Sequence, residues 1–473
     1  LKRHFTDLAR LRRHACLIAL LAIGLLSCFP DGSPGDAEDD RSATRHAAGS
    51  EPEREPQPDT ARHRIARPDV DGGARTEEQA EAELGSGASV MRRGLWVLAE
   101  GSVRILDDPA RIPALIQRAL ELGASDLFVQ VYRGGRVFYP TDFSIESADI
   151  AGVAPEIDAF GNLIEAAHGS GLRVHAWVNV LSLSTRRDAN LIDELGREAV
   201  LVDRRGRSIL DYPELEVPDP DRRFYRMGTR GIYLDPAVPE VRERLVALFR
   251  DLVDRYPELD GLHLDYIRHP GVLPFTPGSR FEVGLDFGYG AISRARYRAQ
   301  TGQPDPIEGA PAGSVRGATT WDDWRRGQVT ALVESIAATS RAARPDLVLS
   351  AAVISYADRA YLTLAQDWRS WLESGAIDLA IPMVYTLDDR LFRYQLESFA
   401  GGSLADRIWP GVGVWLFDRN PPRALRQLGL LRRAGFPGEV LFSDDAIAAS
   451  PALRSALAES APIRSAAGAA SRP

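Results

Sequence analysis

Cysteine is nearly missing from this chain. Two occur in 473 residues, Cys16 and Cys28, both within the first thirty positions. Everything after them therefore carries no disulfide and no thiolate metal site. An excess of positive charge is missing too: the formal net charge is −9 at pH 7. Phosphate binders usually present a basic field, so nucleic acid is set aside as a partner. Compact metal-ligand spacing of the H-E-x-x-H kind does not occur, and no cofactor is expected. Aromatic residues are absent from 31 to 90, where Pro, Gly, Glu, Asp and Ala dominate. Such a stretch cannot bury enough apolar surface to offset its ordering entropy and reads as a disordered tether.

What the chain does have begins with a basic, then apolar, N-terminus. Lys2, Arg3, Arg10, Arg12 and Arg13 precede the run CLIALLAIGLLS, which has signal-peptide length and is too short to span a membrane as a helix. The run ends in LLSC, Leu25 to Cys28, similar to the lipobox in which a cysteine is lipidated, although Leu26 is larger than usual there. The expected organisation is a leader over 1–28, a tether over 29–90, one folded domain over 91–460 and a disordered tail over 461–473. A lipid anchor at Cys28 would place the protein in the cell envelope, as an outer-membrane lipoprotein facing the periplasm or the exterior. Without lipidation it would be secreted.

From residue 94 onward, short apolar runs alternate with helical periodicity. Strands are predicted at 94–100, 126–133, 172–180, within LDGLHLDYIR at 259–268, and at 347–354, 377–385, 407–415 and 438–447. Helical material lies between each pair, best seen in VPEVRERLVALFRDLVDRY. Eight largely apolar strands covered by helices point to an α/β fold, a (β/α)8 TIM barrel, with a doubly wound open sheet as the alternative. Two long gaps, about 182–236 and 268–320, fall after strands 3 and 4. Those connections open on the C-terminal face of a barrel, and long loops there usually have a task.

Polar and aromatic residues gather where the strands end. Glu100 closes strand 1, Tyr132 strand 2, and His175, Trp177 and Asn179 share one phase of strand 3. Strand 4 lies in YPELDGLHLDYIRHP, where His263 and Asp265 alternate with Leu262 and Leu264. The leucines can face the helices while His263 and Asp265 point inward. Tyr385 and Trp415 end strands 6 and 7, and Asp444 lies at strand 8. Aromatic faces suit the C–H face of a pyranose, and acids and amides suit its hydroxyls. Glu100, Tyr132, His175, Trp177, Asn179, His263, Arg268, Tyr385 and Trp415 are therefore candidate saccharide contacts. Glycoside hydrolysis needs a proton donor and a second carboxylate. Asp265 is the central candidate, with a structural ion pair to Arg268 as the plainer alternative. Asp358, just past strand 5, and Asp444 are favoured as its partner over Glu100, Asp418, Glu282 and Asp286. His263 is expected to orient Asp265, or, less simply, to join His175 and Asp265 around a metal.

RGLWV, VHAWVNV, DLAIPMVY and above all the block from GIYLDPAVPEVR to DGLHLDYIRHP resemble the bacterial glycosyl-hydrolase-like 10 family, over about 95–447. The resemblance implies a (β/α)8 glycosidase-like barrel, with Asp265 as nucleophile or key acid and Asp235 in the turn before the helix. Met383 stands where the family often has Gln, so one contact is expected to be missing. DGLHLDYI is also partly similar to the DGxDxDxE strand of family 18 chitinases. Asp260 and Asp265 fit that pattern, but His263 and Ile267 replace two of its acids, which speaks against substrate-assisted chemistry.

The leading expectation is a glycoside hydrolase acting on a cell-envelope or extracellular polysaccharide. A non-catalytic carbohydrate-binding barrel is the alternative, and a metal-dependent deacetylase or lyase stands third. The leader makes its own prediction. Cells fed labelled palmitate should label the wild-type chain and not Cys28→Ala, whereas label retained by the variant would refute lipidation at that residue.

Overall fold

The computed structural model describes residues 91–141, 146–147, 157–274, 285–308 and 315–462. The leader with Cys28, the tether, Glu282 and all but the first residues of the tail lie outside the described residues. Eight parallel strands form the sheet: β1 Arg92–Val97, β2 Asp126–Arg133, β3 Arg173–Asn179, β4 Gly261–Asp265, β5 Val348–Ile354, β6 Leu379–Val384, β7 Gly411–Gly413 and β8 Gly438–Phe442. Each pairs with its neighbour in chain order, and β1 pairs with both β2 and β8. The sheet is closed, which excludes the open doubly wound alternative. Outside it run α1 Ile112–Glu121, α2 Ala159–Gly169, α3 Pro239–Arg255, α4 Val315–Ala343, α5 Trp368–Glu373, α6 Asp389–Ala400, α7 Pro421–Arg433 and α8 Pro451–Glu459.

Local chemistry explains the elements. α3 starts with proline at its first position, where the missing N–H costs nothing. It then buries Val241, Leu245, Leu248, Phe249 and Leu252 along one stripe. Two layers of apolar side chains result. One lies between strands and helices; the other fills the barrel with Trp96, Phe128, Trp177, Ile381, Trp409 and Val440. A closed eight-stranded barrel has little room inside, so large rings need gaps opposite them. Gly438 and Gly411 provide those gaps, since a Cβ at either would come within 2.5 Å of Trp409 or 2.7 Å of Trp96.

Two strands depart from the sequence reading, for visible reasons. β7 is only three residues long, because the chain turns into 3-10 helix at Val414–Phe417 directly after Gly413. β8 ends at Phe442, and a short helix begins at Asp444 with acids at 444 and 445 in its first turn, where the helix dipole favours them. The described parts of both long connections fold into ordered structure. Tyr225–Met227 after β3 pairs antiparallel with Val272–Pro274 after β4, so the two excursions form one ribbon.

The N-terminal end of the barrel is closed by charge. Asp126 accepts from Arg92 and Arg173 at 2.7 and 2.9 Å. Arg93, fully buried, donates to Glu439 at 2.7 Å and to the carbonyls of Leu122 and Leu457. It thereby ties β1 to β8 and to the ends of α1 and α8. Removing one partner leaves the other charge buried and uncompensated, so Glu439→Ala should cost about 3–5 kcal/mol in urea unfolding. A loss below about 1 kcal/mol would show that the pair does not clamp this end.

Candidate functional site

Asp265 closes β4 at the C-terminal mouth and is 6% exposed. Its Oδ1 accepts from the Tyr266 amide at 2.7 Å and lies 3.5 Å from the Arg268 guanidinium. Burial raises its pKa above the usual carboxylate range, while Arg268 and the amide pull it back. The ion pair read as the plain alternative therefore exists, but it does not overcome burial. Arg268 in turn stacks over the Tyr266 ring at 4.6 Å. Tyr266 holds a φ of +51°, a left-handed backbone that costs a side-chain-bearing residue about 1–2 kcal/mol. Tyr385, from the end of β6, faces Asp265, and burial and that carboxylate keep its phenol protonated, with a pKa well above the usual. Trp415 and Tyr385 close around Gly413, where a Cβ would lie 3.2 and 3.0 Å from them. The Trp177 indole N–H comes close enough to favour the Asp265 carboxylate, though among the described residues it completes no hydrogen bond. Asn179 pairs in register with Asp265, and its Oδ1 accepts from Gln130 at 3.2 Å. That bond fixes the amide and leaves its N–H groups for other partners.

The strand-end residues do not all meet at this mouth. Strand alternation tells which face a side chain takes, not its height along the barrel. His175 pairs with Gly261, Trp177 with His263 and Asn179 with Asp265, so the three residues of β3 stand at three levels. His175 sits at the closed end, stacked on Phe128 at 4.6 Å with Nε2 at 3.1 Å from Asp126. It is not a saccharide contact. His263 lies one layer below Asp265. The Trp96 indole donates to its Nε2 at 3.0 Å, and its Nδ1 lies 2.9 Å from the Ser350 hydroxyl. An indole N–H can only donate, so Nε2 is bare, Nδ1 carries the proton, and the Ser350 hydroxyl accepts from it and donates its own hydrogen bond to the Leu262 carbonyl. Burial and nearby His175 hold the ring neutral. With both nitrogens occupied, His263 neither orients Asp265 nor reaches a substrate. Among the described residues no three His, Cys, Asp or Glu side chains converge as a metal would need.

Tyr132 is also displaced. A register shift between Gln130 and Tyr132 breaks the alternation of β2, and Tyr132 joins the fully buried core on the helix side. Asp444 is withdrawn by its helix: both carboxylate oxygens take Arg118 of α1, at 2.8 and 2.6 Å. It cannot serve as a proton donor. Glu100 remains at the rim, 28% exposed and bound to Arg136 at 2.6 Å and Arg133 at 3.2 Å. Asp358 is exposed in the first turn of the helix after β5. Asp418 is exposed past β7. Asp286 is held in the second excursion by Arg325 at 2.9 Å and by the Tyr289 hydroxyl. Asp235 brackets that excursion to the start of α3, accepting from Ser293 at 2.6 Å and from the Ala237 amide at 2.9 Å.

Two features carry no distinct mark in the sequence. Tyr266 is invisible as a special position, since nothing in an Asp-Tyr pair announces a positive φ. Asp445 stands with Ser443 and Asp444 among the polar residues at the end of strand 8 without being singled out as a candidate, yet it is buried and accepts from Ser102 and the Val103 amide at 3.1 and 2.7 Å. Burial raises its pKa, and one of its oxygens has no hydrogen-bond partner among the described residues. Its two bonds make it first a clasp for the loop after β1.

The model of the glycosyl hydrolase-like 10 family matches residues 91–400. The chain is 23% identical over 285 residues to glycosyl hydrolase DigH of Escherichia coli K12, covering 56% of this chain and 55% of that protein. It is 24% identical over 293 residues to glycosyl hydrolase YngK of Bacillus subtilis, covering 57% and 48%. The chain thus spans about half the length of the curated relatives it matches. Among solved structures, the glycoside hydrolase domain of PgaB (BpsB) from Bordetella bronchiseptica superposes with a TM-score of 0.58 at 15% identity, covering 79% of this chain and all of that domain. At that identity the likeness is one of fold.

The raised pKa of Asp265 has a thermodynamic consequence. Its folded value lies above the 3.8 expected when unfolded, so ionisation at neutral pH works against the native state. Asp265→Asn should therefore unfold at higher urea than wild type at pH 7, by on the order of 1 kcal/mol. The gain should shrink as pH falls toward the unfolded value, where wild type is protonated in both states. A gain independent of pH, or a loss at pH 7, would contradict a buried, destabilised carboxyl.

Proposed function

The chain belongs to the glycosyl hydrolase-like 10 family, and from that premise we propose that it hydrolyses glycosidic bonds of a cell-envelope or extracellular polysaccharide with Asp265 as the key acid. The observation that carries the reading is the single buried carboxyl at the mouth of β4, its pKa raised by burial and its surroundings aromatic. A carboxyl in that state retains its proton closer to neutrality and can pass it to the leaving glycosidic oxygen. Tyr385 and Trp415 offer ring faces to a sugar, and Asn179 and Arg268 offer donors to its hydroxyls. The second carboxyl of such a reaction stands about 5–5.5 Å away in retaining enzymes and about 6.5–9.5 Å in inverting ones. With Asp444 taken by Arg118, we assign that role to Asp358, which stands exposed after β5. The lipid anchor at Cys28 would hold the barrel at the envelope.

One observation favours the alternative of a binding barrel without catalysis. Among the described residues no carboxylate contacts Asp265 or figures among the charges acting on it, and fold alone does not supply activity. Incubating the full chain with peptidoglycan and a panel of bacterial exopolysaccharides decides between them. Wild type should release reducing ends; Asp265→Ala should lower the rate by about 10²–10⁴-fold, and Asp358→Ala should also slow it, both with binding retained. A wild type that binds a polysaccharide but releases nothing would establish the binding barrel instead.

A further inference from the structure

We propose that Arg268 makes this mouth selective for sugars that carry a carboxylate, whose two oxygens take the in-plane N–H groups of its guanidinium. The inference deepens the reading of the mouth as a saccharide site and rests on it. Its basis is a buried cation that its own protein matches poorly. Arg268 is 8% exposed. Its Nη1 is buried and completes no hydrogen bond among the described residues. Among those residues Asp265 is the one carboxylate within 4 Å of it, and the approach is 3.5 Å. A buried guanidinium is ordinarily paired and hydrogen-bonded, because the lost hydration of its charge is otherwise uncompensated. Arg118 shows the ordinary case, with Asp444 at 2.8 and 2.6 Å.

The surroundings hold this cation in place without using up its donors. The Tyr266 ring lies against the guanidinium at 4.6 Å, and the Tyr233 ring backs Tyr266 at 6.1 Å. Stacking occupies the face of a guanidinium and leaves the N–H groups in its plane for a ligand. Arg268 acts electrostatically on Asp265, Tyr266 and Tyr385 alike, so it stands among the groups that β4 and β6 bring to the mouth. Asp265 is an incomplete counter-ion, since burial raises its pKa in spite of Arg268. A sugar hydroxyl can accept from Arg268, but a neutral group leaves the buried charge uncompensated. A carboxylate supplies the charge as well, and its two oxygens match the spacing of two guanidinium N–H groups. The Trp177 indole, which reaches toward Asp265 and completes no hydrogen bond among the described residues, adds a further donor. One cation also calls for one negative charge, which a carboxylate carries, whereas a phosphate monoester carries more. A sugar bears such a group either as the C6 carboxylate of a uronic acid or on an ether-linked acid, and the same chemistry recognises both.

The test crosses the charge of the ligand with the arginine. Each probe is a disaccharide used beside its own methyl ester, which keeps the shape and removes the charge. One pair contains a uronic acid; the other contains N-acetylmuramic acid, whose carboxylate is ether-linked. Binding to the full chain is followed by tryptophan fluorescence. Wild type should bind the acid of at least one pair about 10- to 100-fold more tightly than its ester, the effect of a hydrogen bond to a charged group. The pair that shows the preference identifies the source of the carboxylate. Arg268→Ala should lose the preference, and Arg268→Lys should keep only part of it, since lysine retains the charge without the planar fork. An arginine that served only to clasp Asp265 would, when removed, weaken acid and ester alike. Equal binding of acid and ester by wild type in both pairs would overturn the proposal and leave the saccharide site standing. So would a preference undiminished in Arg268→Ala or, if that variant does not fold, undiminished in Arg268→Lys. Binding of none of the four disaccharides would overturn both the proposal and the saccharide reading beneath it.

Discussion

Closure of the parallel sheet between β1 and β8 is the constraint from which the other features follow. Once β1 pairs with both β2 and β8, the interior has a fixed width, and each inward side chain must fit against those across from it. The crowding places Gly411 beneath Trp96 and Gly438 beside Trp409. It also makes polar groups inside the barrel expensive unless paired. His263 meets that demand through a chain from Trp96 to Ser350 to a backbone carbonyl. Asp126 meets it with arginines at the closed end. Asp265, one layer above His263, is the inward acid whose pairing is incomplete, and it sits at the open end.

The contrast between Asp265 and Asp444 shows how environment assigns roles to one residue type. Each lies at or just past the C-terminal end of a barrel strand, and each is buried. Asp444 gives both oxygens to Arg118, so its charge is compensated and its work is to fasten a helix. Asp265 meets Arg268 only at 3.5 Å and remains with its pKa raised. A carboxyl that costs the native state something is the kind of group expected where a reaction is done rather than where a fold is held. The strained backbone of Tyr266 beside it belongs to the same pattern, since local strain is tolerated where position matters.

The sequence pattern was legible wherever the relevant physics is local and periodic. Apolar runs of strand length alternating with amphipathic helices were enough for the barrel, and α3 lies where its stripe and its first-turn proline indicate. The pattern misled where a two-residue period was asked to report depth or continuity. It grouped His175, Trp177 and Asn179 as one surface, although register puts them at three heights. It placed Tyr132 in the cleft because a register shift is not written in the alternation. It extended β8 through Asp444, although the chain had already become helical.

The sequence by itself determined the eight-fold alternation of strand and helix, the long connections after strands 3 and 4, and the inward phase of Asp265, because these follow from the spacing of apolar side chains. Only the tertiary structure decided that His263 is a sealed core residue, that Asp444 is an anchor and that Tyr266 carries a left-handed backbone. Those outcomes depend on which distant groups meet. Trp96 and His263 stand 167 residues apart, and Arg118 and Asp444 stand 326 apart. No local pattern encodes the hydrogen bonds that join them.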